Sequence, residues 1–560
     1  MHISRSYALG LLLFTLSWLA YDHYRPWVNF HSELLAFLGL FGLLASVLLH
    51  ARGPAVLPRA SVWIAVAVLV PWLQYATGVS LFAGDALLSS LYLSGLLAAI
   101  FVGYSFGRSE PGHPAHALMG LVHCLWIAAM ASAAIGLAQW LDVQGPLQMY
   151  VVQTDFGDRA MGNLGQPNQL ATLLLMGMAA FSYVYERRVI GRPVFFLGIG
   201  FMTGVLILTQ SRAGMLSALV VAAFLIWKKG TTTSRLSAKA VVCWVACFLI
   251  GTFSLPYLSE ALLLADVRSI SAAEPVSQRW RMWQQIAYAV AQSPWVGYGW
   301  NQTPTAHAAG AIAFPSSVTY TNAHNFVMDM LAWNGLPLGI LLTGAIAYWF
   351  VTRIWATVRL DAVHAMACLL PIAVHSMLEY PFAYAYFLIA AGLMVGIVEA
   401  AMVRVKTTAV NVGWAWGFLA AWVAVGSYLT YEYFLIEEDF RIVRFENLRI
   451  GKTPETYDIP HVWMASHMAA MLKAARQVAE PDMSKADMEN MRRVSERFAY
   501  GAVRFRYALA LALNGDPAGA TRQLAIIRGI YGEGYYAACK EEVRRLEREK
   551  YPQLAAVIVP

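Results

Sequence analysis

Charge is what this sequence has least of. Lys, Arg, Asp and Glu make up 13% of its 560 residues, about half the share of a typical soluble chain. Cysteine is scarce too, with five at positions 124, 243, 247, 368 and 539. Most of these sit in apolar runs, where a thiol serves as a small packing residue. Cys243 and Cys247 are spaced i, i+4, but no His or Cys partners stand nearby to complete a metal site, so neither a zinc centre nor a disulfide framework is expected. There is no Walker-type glycine loop and no carboxylate pair beside a nucleotide-sugar loop. Energy for any chemistry must then arrive with a preactivated donor carried in the membrane. The charged start and the apolar stretch from Tyr7 to Leu19 are not followed by a convincing small-residue cleavage site, so this stretch is read as a first anchor.

Apolar side chains are abundant instead, at 59%. They fall in runs of roughly 18 or more residues without period-two alternation, which specifies spanning helices and excludes a membrane β-barrel. The expected spans are 7–22, 33–50, 61–78, 85–105, 115–141, 169–185, 193–210, 212–227, 240–257, 325–351, 360–378, 384–403 and 410–434. The fold class is therefore an all-α polytopic integral membrane protein of about 13 helices. With the N-terminus inside, the cytoplasmic loops collect Arg52, Arg108, Arg187, Arg188, Lys228, Lys229, Arg353 and Arg404, while Arg25, Arg159, Arg212, Arg268, Arg279 and Arg281 are left outside. An odd number of spans also places the charged, amphipathic residues 436–560 outside. Arg492 to Glu533 reads there as paired short helices broken at Asn514-Gly515-Asp516-Pro517, a pattern like a tetratricopeptide repeat. Three domains are expected: N-terminal helices 1–150, a membrane region 151–435 with an outer loop 258–324, and an α-helical domain 436–560.

Polar residues gather on the outer face, above all between Glu260 and Asn325. Arg212, in LTQSRAGML, has two readings: it snorkels to headgroups, or it joins the start of the following helix as an anion site, with Ser211 as cap or second donor. Arg279 and Arg281 alternate with Trp280 and Trp283, which suits either an interfacial amphipathic helix or a clamp for pyrophosphate. His324 stands before Asn325 at a helix start. It is either structural or a general base, its ordinary pKa of about 6.5 suiting proton removal near neutrality. His375 and Glu379, spaced i, i+4, either orient a substrate hydroxyl or form a buried structural pair.

Taken in order, RAMGNLGQPNQLA (159–171), TQSRAG (209–214), QRWRMW…SPWVGYGW (278–300) and HNFVMDMLAWNGLPLG (324–339) resemble the successive signatures of the O-antigen ligase and polymerase superfamily. HSMLEYPFAYAYF (375–387) and the outer C-terminal extension most resemble its protein O-oligosaccharyltransferase branch. The resemblance implies a GT-C-like transferase in the bacterial inner membrane, with its active site and C-terminal domain in the periplasm. It would move a glycan en bloc from undecaprenyl pyrophosphate to Ser or Thr of a pilin-like protein, with inversion and with no metal or cofactor. Under the same resemblance Arg212, Arg279 and His324 are catalytic. Arg159, Gln166, Asn168, Ser211, Arg281, Asn325, His375, Glu379 and Tyr380 are expected to bind substrate. A lipid A core or a growing glycan is the alternative acceptor, and nucleic acid is not expected as a partner. A transporter would instead place polar contacts near the bilayer midplane. A third class would make residues 436–560 a docking module and the membrane region its anchor.

Overall fold

The computed structural model describes residues 4–108, 116–155, 158–232, 234–261 and 276–557. Arg268 and the first part of the outer loop therefore lie outside the described residues, as do Phe156 and Gly157. The chain is built almost wholly of helices, as apolar segments require when no water is present to satisfy backbone groups. The first ten are α1 Arg5–Leu16, α2 Phe30–Leu49, α3 Val62–Ala67, α4 Val70–Ala76, α5 Ala83–Gly107, α6 His116–Trp140, α7 Pro167–Glu186, α8 Arg192–Leu208, α9 Arg212–Lys228 and α10 Ala238–Ala261. There follow α11 Val276–Gln292, α12 Thr303–Gly310, α13 Phe326–Ala356, α14 Leu360–Ser376, α15 Ala385–Ala400 and α16 Val412–Leu448. The chain ends with α17 Ser466–Arg476, α18 Lys485–Arg497, α19 Gly501–Leu513 and α20 Pro517–Glu549.

Every expected span carries helix, although 61–78 is split between α3 and α4, with Pro71 in the first turn of α4. Among the described residues, 7 helices are long and apolar enough to cross a membrane, and α1, α8, α14 and α15 are apolar but shorter. The protein is a polytopic helical membrane protein. The chain divides into two compact units, 1–67 with 92–273 and 347–424, and 68–91 with 274–346 and 425–560.

In the first unit α7 is the central element, buried at every position from Gln169 to Glu186. It packs against α6, α8, α9 and α14. A two-stranded antiparallel pair, β1 Ala55–Pro58 with β2 Thr407–Val410, sets Ala55 opposite Val410. Sequence patterning did not anticipate it. Glu399 on α15 is buried and accepts from Arg353 Nε at 2.6 Å and Trp349 Nε1 at 2.7 Å. That pairing supplies the partner a carboxylate in an apolar helix needs.

In the second unit α18 and α20 pack against the α12 region, and α12 packs on α11. The break between α19 and α20 falls at Asn514–Asp516, where Gly515 adopts φ +89° and Asp516 caps α20 by accepting from the Gly519 N–H at 2.8 Å. Tyr507, Leu511, Leu524 and Ile527 join these two helices in one core. Ile526 and Ile530 of α20 close on Ala308 and Ala311. Asp85, in the first turn of α5, is buried and held by the Arg497 guanidinium at 2.8 Å, with Gln302 donating at 3.1 Å. Past the expected boundary at 435, α16 continues without a break to Leu448. Its buried Glu432 accepts from the backbone N–H groups of Trp463, Met464 and Ala465, just ahead of α17.

Candidate active site

The first unit gathers its polar residues around the starts of α7 and α9. Gly162 and Gly165 adopt φ of +59° and +69°, which lets the loop after Arg159 turn sharply into α7. Two buried amides fix that turn. Gln139 Oε1 accepts from the Gly162 N–H at 2.7 Å, and Asn163 Nδ2 donates to the Leu19 carbonyl at 2.7 Å. Gln166 caps α7 by accepting from the Gln169 N–H. Arg159 Nε then donates to the Thr209 carbonyl at 2.7 Å, tying this loop to the turn that carries Ser211 and Arg212.

Ser211 has two bonds there. Its Oγ accepts from the Gly214 N–H at 2.8 Å, capping α9, and donates to Asn168 Oδ1 at 2.7 Å. Arg212 is the first residue of α9 and is exposed, so its guanidinium adds to the partial positive charge of that terminus. Arg159, Gln166, Asn168, Ser211 and Arg212 are thus brought together. One turn into α7, Thr172 Oγ1 donates to the Asn168 carbonyl at 3.0 Å and lies 2.9 Å from His375 Nδ1. Since the single hydroxyl proton is committed to Asn168, Nδ1 is the donor in the second bond.

Glu379 is not on the same helix as His375. The helix closes at Ser376, and the Glu379 N–H reaches back to the His375 carbonyl at 2.8 Å from the turn that follows. Tyr380 begins a stack of rings: it lies 5.8 Å from Tyr384, which lies 5.6 Å from Tyr386. The Tyr386 hydroxyl donates to Gln169 on α7.

The second unit holds Arg279, Arg281, His324 and Asn325. Met282, Ile286, Ala289 and Val290 form the buried stripe of α11. Arg279 stands one turn ahead of Met282 in the first turn of the helix and is exposed, as are Trp280 and Arg281. Arg281 donates to the Pro315 carbonyl at 3.2 Å. One turn after Arg279, Trp283 Nε1 donates to the Ala323 carbonyl at 3.0 Å, and the next residue is His324. Asn325 caps α13 by accepting from the Met328 N–H at 3.1 Å. His324, half-buried between these two fixed residues, has φ +51°.

Ahead of that helix, the turn Ser293–Trp300 locks against a kink in α13. Tyr298 and Gly299 donate to the Ala332 and Trp333 carbonyls, and Leu336 donates back to the Pro294 carbonyl. Gly297 and Gly335 stand at the two closest approaches, with φ of +68° and +70°.

Comparison with known proteins follows the same order along the chain. A family described as "Protein glycosylation ligase" matches residues 160–183, "O-Antigen ligase" matches 194–343, and "Virulence factor membrane-bound polymerase, C-terminal" matches 363–545. The chain is 28% identical to the General O-oligosaccharyltransferase of Acinetobacter baylyi over 544 residues, covering 94% of this chain and 92% of that one. It is 24% identical to the ComP-specific O-oligosaccharyltransferase of the same organism over 414 residues, covering 70% and 73%. In order along the chain, it is thus similar to proteins of the O-antigen ligase and protein glycosylation ligase families.

It is an enzyme, a glycosyltransferase of the oligosaccharyltransferase kind like those two relatives. No solved structure matches it. Beyond the motifs, two carboxyl groups escaped sequence reasoning as parts of this ligase-like framework. Glu33 of α2 accepts from Tyr92, from Trp27 Nε1 at 2.8 Å and from the Ala385 N–H at 3.4 Å. Its signal was available: a lone carboxylate in an apolar run must have partners. The second is Asp329, five residues after His324, which accepts from the Ala323 N–H at 2.8 Å and from Thr303 Oγ1 at 2.7 Å.

Proposed function

We propose that the protein transfers a whole glycan from undecaprenyl pyrophosphate to a serine or threonine hydroxyl of an exported, pilin-like protein. The acceptor oxygen attacks the anomeric carbon and passes its proton to His324. The new carbon–oxygen bond forms as the bond to the pyrophosphate oxygen breaks, and undecaprenyl pyrophosphate leaves with the electron pair. A single displacement of this kind inverts the anomeric carbon. Arg212 and Arg279 neutralise the pyrophosphate as its charge develops, the task for which a guanidinium fork is suited. Within this reading the protein lies in the inner membrane with about 13 spans, its N-terminus cytoplasmic and its site and C-terminal domain periplasmic. The helical region after residue 435 is a periplasmic, tetratricopeptide-like domain.

One observation carries the assignment of groups: the Trp283 indole joins the helix of Arg279 to the carbonyl beside His324. It gives a phosphate-binding group and a base the same rigid support. The likeness to two O-oligosaccharyltransferases, near full length for the first, favours protein as acceptor. The families described as ligase and polymerase favour a second reading, in which a lipid A core or another glycan accepts.

The test is transfer in a Gram-negative host that makes a defined lipid-linked glycan and supplies both a pilin and a lipopolysaccharide core. Glycan on the pilin that vanishes with His324→Ala is the expected result. Glycan only on the core would replace the protein acceptor with the lipid one. Unchanged transfer by well-inserted Arg279→Ala protein would remove that arginine from the site.

A further inference from the structure

The histidine at 324 occupies backbone space that side chains other than glycine avoid. Its φ of +51° lies in the left-handed region, and such a conformation persists only where the surroundings over-determine it. Those surroundings are specific. Ala323, itself fully buried, is gripped at both of its backbone polar atoms. Its carbonyl accepts from Trp283 Nε1 at 3.0 Å, and its N–H donates to Asp329 Oδ1 at 2.8 Å.

Asp329 is completely buried and accepts a second bond, from Thr303 Oγ1 at 2.7 Å. Thr303, also fully buried, accepts in turn from Trp333 Nε1 at 2.7 Å, so the orientation of its single proton toward Asp329 is enforced. Trp333 is one turn farther along α13 than Asp329, and Asn325 caps the same helix. The segment bearing His324 is thereby referred to one short helical arm through a chain of bonds: Trp333 to Thr303 to Asp329 to Ala323.

A buried carboxyl group is a costly way to fill space, and an apolar residue would fill it at lower cost. What the carboxyl supplies is an acceptor for the N–H of Ala323, the residue before His324. We infer that Asp329, buttressed by Thr303, is a positioning residue that holds the His324 imidazole in its reactive placement. This rests on the reading of His324 as the base.

The experiment uses the full-length enzyme in lipid nanodiscs with a purified undecaprenyl-pyrophosphate-linked oligosaccharide and an acceptor pilin. It measures kcat and donor KM per folded molecule, with folding followed by thermal melting. Asp329→Ala is expected to lower kcat by about 10²-fold or more while donor KM changes less than about threefold, since the loss falls on the transition state. Asp329→Asn, whose amide oxygen still accepts from Ala323 and Thr303, is expected to recover kcat to within about tenfold of wild type. Thr303→Val, which removes the buttress together with the acceptor of the Trp333 indole N–H, should fall between the two.

Folded Asp329→Ala enzyme with wild-type kcat would overturn the inference. So would a set of variants that lose stability alone, with kcat per folded molecule unchanged. If Asp329→Ala does not fold, Asn and Val decide: kcat unchanged in both overturns it, and a graded fall supports it. His324→Ala, measured alongside, separates the two levels. Full activity of that variant defeats the base assignment and this inference with it, whereas an inactive His324→Ala beside a fully active Asp329→Ala defeats the positioning role alone.

Discussion

Individual side chains in this protein are exposed or buried according to what they must do. Arg279, in the first turn of α11, is exposed, while Met282 one turn farther along is buried. Arg279→Ala is therefore expected to leave the melting temperature unchanged and to lower transfer by about 10²-fold or more, the range for removing one group that stabilises developing charge. His307 is the opposite case. It is fully buried in α12, 4.9 Å from the Tyr320 ring, and burial, with the nearby Arg504 adding to it, pushes its imidazole down to about 3. An unfolded histidine titrates near 6.5, so the folded state binds fewer protons below that pH. Stability is full above pH about 6.5 and is lost as pH falls toward 3, at up to about 1.4 kcal/mol per pH unit. Thermal melts between pH 7 and pH 4 should show this slope, and His307→Phe should flatten it.

At the scale of elements, the Ser293–Trp300 turn and the kink in α13 are made for each other. A Cβ on Gly297 would stand 2.6 Å from the Ala332 carbonyl oxygen, and one on Gly335 would stand 2.7 Å from the Pro294 carbonyl oxygen. Both contacts are with backbone that cannot swing aside, and both glycines have positive φ. Gly297→Ala and Gly335→Ala should each destabilise by about 1–3 kcal/mol or more, read as a lowered melting temperature in detergent. Gly344, within the same helix, has nothing within 4 Å of a built Cβ. Gly344→Ala should raise the melting temperature instead, by the equivalent of about 0.5–1 kcal/mol. Opposite signs for one substitution in one helix would separate backbone strain from helix propensity.

Across the whole molecule, long-range polar pairs set which segments belong together. Asp85 and Arg497 are 412 positions apart, yet both their side chains are largely withdrawn from water in one unit. Arg497→Ala would strand a buried carboxylate at a cost of about 3–5 kcal/mol. Earlier proteolysis of the C-terminal helices is the expected readout, and Asp85→Asn with Arg497→Gln together should be milder. Neither partner was legible as a partner, because helical period and propensity report only the nearest few residues.

The sequence by itself determined the membrane class, the positions of the apolar helices, the break at Asn514–Asp516 and the family signatures. Each rests on local pattern: a run long enough to span, a cap, a turn residue, a motif. The tertiary structure decided the rest. It joined Arg159 to the Thr209 carbonyl, Trp283 to Ala323 and Asp329 to the peptide before His324. It also ended α14 before Glu379 and carried α16 past residue 435. These outcomes depend on which distant donor meets which acceptor once burial has removed water as an alternative partner, and no local pattern encodes that pairing.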